Sequence, residues 1–178
     1  MKYSVKIAVA GVFSSVYTVL MIVGGLIPAS NYVVPLLLGI VTYCLLKTFG
    51  KKTALSVYIA VSLLSLFLVA NKECALMFVM NFGYYPLIKN ALDKVKPKAF
   101  QWLLKLLIFN LSVAAIELIC VYVFNIPFFE GEKFSLLFLL AYALLMNVVF
   151  VMFDLFLSIF IKIYSLKMEG KIKKLFKY

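Results

Sequence analysis

Two carboxylates and several amides lie within stretches of this 178-residue chain that are otherwise apolar, and these side chains have chemistry to offer. Asn110, Ala114 and Glu117 recur at i, i+4 and i+7, which places them on one face of a helix. Ala143, Asn147, Asp154 and Ser158 make a similar stripe further on, and Asn81 and Tyr85 stand four apart. Such groups are expensive in hydrocarbon, so they turn toward a bundle interior and mark a ligand site by default. Small and polar faces also serve plain helix packing, and that reading stays open for each stripe. Glu117 is the sharper candidate, because an acid at membrane depth costs up to about 2.5–3.5 kcal/mol on insertion scales and needs a use or a partner. Asp154 lies nearer the other end of its segment. Lys105, a turn inside the fifth apolar stretch, is at a depth from which it reaches Asp154 as a structural ion pair or else snorkels to the head groups. Counting 1.5 Å per residue separates Glu117 from Asp154 by roughly 10 Å, which argues against direct pairing of the two acids.

Other chemistry is missing by residue type. The chain has no His and no Arg, so it lacks the usual general base, the commonest metal ligand and the bidentate clamp for phosphates. Its eight glycines are scattered and form no phosphate-binding loop. Cys44, Cys74 and Cys120 show no metal or redox spacing and read as small buried hydrophobes. No enzyme activity, cofactor or metal is expected.

The elements that must position Glu117 and its neighbours follow from composition. With 66% hydrophobic residues, 14% charged residues and a mean hydropathy of +1.10, the chain has too little polar surface for a water-exposed domain. It reads as a single all-α membrane domain, a six-helix bundle with spans predicted at 7–27, 32–46, 53–70, 74–88, 100–124 and 134–164. The second and fourth are short, and a re-entrant or interfacial segment is their alternative. All 18 basic residues are lysines, and all but Lys72, Lys133 and Lys105 fall before the first span, after the second, around the fourth-to-fifth connection, or at the end and tail of the sixth. By the positive-inside rule both termini are cytoplasmic, and the connections near Asn31, Lys72 and Glu130 face outward. Topology thus accounts for the +11 charge without nucleic acid, and the basic rims suit anionic membrane lipids. The apolar run after Lys6 is too long for a cleavable signal, and the basic tail 165–178 either stops transfer or lies along the membrane surface. Phe82-Gly83-Tyr84-Tyr85-Pro86 reads as the aromatic, proline-terminated end of the fourth span, with a hinge as its alternative.

The first helix carries Ala10-x-x-x-Ser14-x-x-x-Thr18 with Gly11-x-x-x-Ser15 alongside, a small-residue face that admits a close helix neighbour inside the bundle or on another subunit. Six spans in a short chain, cytoplasmic ends, this face at Ala10 and Ser14, and polar residues on the last three helices together resemble the substrate-binding S component of energy-coupling-factor vitamin transporters. Ser14 stands where that family carries the second Ala of Ala-x-x-x-Ala. The resemblance implies a bacterial cell-membrane protein with an outward-facing cavity built from helices four to six and the outer loop at Pro28–Tyr32. Glu117, Asn110, Asn147, Asn81 and Asn31 would then meet a small-molecule ligand, and Ala10 and Ser14 a transmembrane coupling subunit that works with separate ATPases. A polytopic accessory protein without a ligand and a self-contained ion-coupled carrier are the other classes in view, the carrier lacking an evident inverted repeat.

Overall fold

The computed structural model describes residues 3–28, 30–126 and 136–168, and the described residues are helical throughout, with no strand. The helices are α1 (Tyr3–Leu26), α2 (Ser30–Phe49), α3 (Lys51–Leu68), α4 (Lys72–Met77), α5 (Tyr85–Leu92), α6 (Lys98–Tyr122) and α7 (Leu136–Ile163), with π-helical turns at Phe78–Phe82 and Tyr164–Met168. Five helices are long and apolar enough to cross a membrane: α1, α2, α3, α6 and α7. They bare large apolar side chains such as Phe67, Leu137, Leu144 and Leu155, a surface that suits lipid and not water. The connection with Glu130, Glu132 and Lys133, expected to face outward, and the tail from 169 onward lie outside the described residues.

The fourth expected span takes a different form. Lys72–Leu92 is not one uniform helix but α4, a π turn and α5 in succession. Tyr85-Pro86 does not end it. Pro86 sits in the first turn of α5, where its missing N–H is tolerated, and the helix runs on to Leu92. The irregular stretch keeps its carbonyls bonded: within the π turn Gly83 N–H donates to Phe78 O at 2.8 Å, and from α3 the Tyr58 hydroxyl donates to Val79 O at 2.8 Å. The Phe82 carbonyl, which Pro86 cannot satisfy, faces α2 at Gly39. A Cβ there would stand 2.5 Å from that oxygen, so glycine is what lets the two backbones meet.

Local signals account for the other joints. Gly50, at φ 92°, turns the chain between α2 and α3 in a single residue. The Asn71 side chain accepts from Cys74 N at 3.0 Å and caps α4. α2 and the interrupted helix form the middle of the bundle, α1 and α3 packing on one side through Tyr17, Met21, Leu45, Val57 and Phe78. On the other side α6 and α7 pack through Phe109, Ile116, Phe150 and Phe153. Phe109 and Phe150 stack with centroids 4.4 Å apart, while Tyr85 meets Phe150 edge-on at 5.2 Å, fixing α5, α6 and α7 to one another.

Candidate functional site

The polar stripes on α6 and α7 face each other in the structure. Asn110 and Asn147 exchange hydrogen bonds of 2.8 and 3.0 Å, and each amide also donates to its own i−4 carbonyl, Leu106 O and Ala143 O. Above this clasp, toward the α6 C-terminus, the helices part into a cleft of about 640 Å³. Asn110, Ala114, Glu117 and Tyr142 line it, with apolar walls from Val113, Leu118, Leu139 and Met146. The volume lies within the usual range for small-molecule sites. Half-buried Glu117 accepts a hydrogen bond from the Tyr142 hydroxyl at 2.8 Å, which fixes its carboxylate on the cleft wall. Behind it the Tyr32 hydroxyl donates to Glu73, and it also interacts with the Tyr142 hydroxyl, so α2, α4, α6 and α7 converge on two carboxylates.

The expected residues divide among several places. Glu117 and Asn110 line the cleft, and Asn147 does not line it but is bonded to Asn110 at its edge. Asn81 does not: it is buried against Tyr85, Phe109 and Phe150, and its Nδ2 donates to Met77 Sδ at 3.6 Å. Asn31, at the start of α2, does not line the cleft either, and its Oδ1 is buried without a protein partner. Ala10 and Ser14 are half-buried, whereas Gly11 and Ser15 on the same helix are exposed. Ala10 also borders a groove between α1 and α3 lined by Lys6, Ile7, Lys52, Thr53 and Ser56.

Lys105 and Asp154 do meet, Nζ to Oδ2 at 3.0 Å, as part of a larger cluster. Asp154, 2% exposed, also accepts from Lys89 and, at 2.5 Å, from the Tyr85 hydroxyl. Lys105 continues to Asp93 at 2.6 Å, and Lys89 approaches Asp93 at 3.5 Å. The result is a neutral quartet of two lysines and two aspartates joining α5, the turn after it, α6 and α7. Here the reading of Lys89 as a rim lysine is corrected. It is 1% exposed, because the helix passes Pro86 and carries it inward. The signal was present as Tyr85, Lys89 and Asp93 at i, i+4 and i+8, one helical face.

No family model, no curated protein and no solved structure matches this chain. Its chemistry has to be argued from the two polar centres themselves. Among the described residues no three His, Cys, Asp or Glu side chains group as a metal site. The quartet is closed, with every charge answered inside the protein, whereas the cleft has a carboxylate on its wall and room beside it.

Proposed function

We propose that this chain is a membrane-embedded binding protein for a small amphipathic molecule, serving as the substrate-capturing subunit of an uptake transporter whose coupling and ATPase subunits are separate chains. One observation carries the reading: a cleft of about 640 Å³ with apolar walls and a carboxylate held in place by Tyr142. The shape suits a ligand with an apolar body and a polar end. Six crossings with both termini cytoplasmic belong to this reading. Lys72–Leu92 would supply the fourth crossing, since helical residues over that run rise about 30 Å, the thickness of the hydrocarbon core. The cleft then opens in the outer half, where a captured nutrient would arrive. The half-buried Ala10 and Ser14 would meet the coupling subunit, as in the S components that the chain resembles.

The test is thermal unfolding of the purified protein with and without the small-molecule fraction of its source membranes and medium. A ligand that binds only the folded state raises Tm by mass action. The fraction should raise Tm of the wild type and not of Ala114→Trp, whose indole would intrude on the cleft one turn from Glu117. An equal rise in both places the ligand elsewhere. No rise in either supports the second reading, an accessory protein in which the polar groups are packing devices. The mutual satisfaction of Asn110 and Asn147 is the observation that favours that alternative.

A further inference from the structure

We propose that the ligand of the α6–α7 cleft is a monovalent organic cation, an amine or quaternary ammonium on an aliphatic or aromatic body. This rests on the reading of the cleft as a binding site and adds the class of molecule that fills it.

The argument is one of charge. Glu117 is the only carboxylate on the cleft wall, and no lysine lines the cleft among the described residues. The buried cations Lys89 and Lys105 are already balanced by Asp93 and Asp154. Lys72, beside Glu73 in sequence, directs its ammonium at the end of α3, donating to Leu66 O at 3.0 Å and Val69 O at 2.9 Å. Glu73 and Glu117 are within electrostatic reach of each other, a repulsion between two acids that a cation in the cleft would relieve. Both carboxyls accept phenolic hydrogen bonds, Glu117 from Tyr142 and Glu73 from Tyr32, which hold their oxygens in place at the cleft and behind it. A neutral apolar ligand would offer the two acids no counter-charge, and an anion would add a like charge in a medium of low dielectric. A cation supplies the counter-charge. Tyr122 and Tyr142 on the lining add aromatic faces, which attract ammonium groups, and Val113, Leu118, Leu139 and Met146 cover the body of the molecule.

Three probes of one shape separate the possibilities: phenylbutylamine, phenylbutanol and phenylbutyrate, each titrated into the full chain in nanodiscs of uncharged lipid while thermal unfolding is followed. The amine should raise Tm at free concentrations at least tenfold below those the alcohol needs, and the acid should be weakest. Glu117→Gln keeps shape and hydrogen bonding, and its unliganded melting curve reports whether it folds. In it the amine's tenfold advantage should vanish while the alcohol's effect remains. Ala114→Trp should abolish both effects, which separates binding in the cleft from partition into lipid. If the alcohol or the acid matches the amine in the wild type and Ala114→Trp abolishes the effect, the cleft is a binding site and the cation class is wrong. An amine effect undiminished in Glu117→Gln overturns the assignment of that carboxylate and with it the proposal. Silence from all three probes also overturns the cation class, since the phenylbutyl body fits the volume. The binding reading is then decided separately by the source-membrane fraction.

Discussion

Asn110 on α6 and Asn147 on α7 clasp each other through two amide hydrogen bonds of 2.8 and 3.0 Å, and above that clasp the helices separate to form the cleft. The pair thus sets where packing ends and the cavity begins. Replacing either amide alone leaves its partner short of a hydrogen bond in a low-dielectric setting. In a double-mutant cycle with Asn110→Leu and Asn147→Leu, the coupling should be about 0.6–2 kcal/mol, the range of interhelical side-chain bonds in membranes. Zero coupling would mean that the clasp does not hold α6 to α7.

Removing Lys105 strands a negative charge in the buried quartet, whereas removing Lys105 together with Asp154 leaves Lys89 and Asp93 as a neutral pair. Lys105→Met should therefore cost about 3–5 kcal/mol, and the double variant Lys105→Met/Asp154→Leu less than the sum of the two singles. Reversible unfolding in detergent measures this. Additive losses would show that the two side chains act independently.

Gly39 and Gly11 make a matched pair of tests. A Cβ at Gly39 would press on the Phe82 carbonyl, but one at Gly11 meets nothing within 4 Å. Gly39→Ala should destabilise by about 1–3 kcal/mol, as overpacked cores do. Gly11→Ala should be neutral or stabilising by up to about 1 kcal/mol, from helix propensity. Equal effects would mean that α2 does not approach the interrupted helix at Gly39.

Orientation is open to chemical labelling. In a background without Cys44, Cys74 and Cys120, a cysteine introduced at Ser30 should react with an impermeant thiol reagent added to intact cells. Cysteines at Lys51 or Lys96 should react only after the membrane is opened. Labelling of the Lys96 position from outside would mean that Lys72–Leu92 enters and leaves on one side.

The small-residue face of α1 has its own test. Ala10→Leu and Ser14→Leu add bulk where helices approach closely, so each should break association with a coupling subunit while the isolated chain still melts as a folded protein. Co-purification unchanged in both variants would make the face internal or idle.

Much of this was legible in the residues themselves. The helical period alone puts Asn110, Ala114 and Glu117 on one face of α6 and Asn147 in a second stripe on α7, because a polar stripe in an apolar helix stands out at 3.6 residues per turn, but it does not say that the two stripes meet. Hydropathy likewise marks the five long helices. What it could not supply was Tyr142 and Tyr32 as partners of Glu117 and Glu73, since a tyrosine in a membrane segment looks the same whether it packs, anchors or donates. Lys89 was hidden for another reason. Proline usually ends a helix, but Pro86 lies in a first turn where it is tolerated, so the residues beyond it continue a buried face. Asn81 and Asn31 show the converse: a polar stripe selected the first and the family resemblance the second, and tertiary packing placed both away from the cleft.

The claim at the centre of this account is that the α6–α7 cleft holds a small molecule. Native mass spectrometry of the protein released from its source membrane addresses it directly, through any mass retained beyond that of the polypeptide and lipid. The account predicts one retained small molecule per chain in the wild type, and none in Ala114→Trp although that variant remains folded. The same retained mass in both proteins, or none in a wild type released without denaturation, would contradict it.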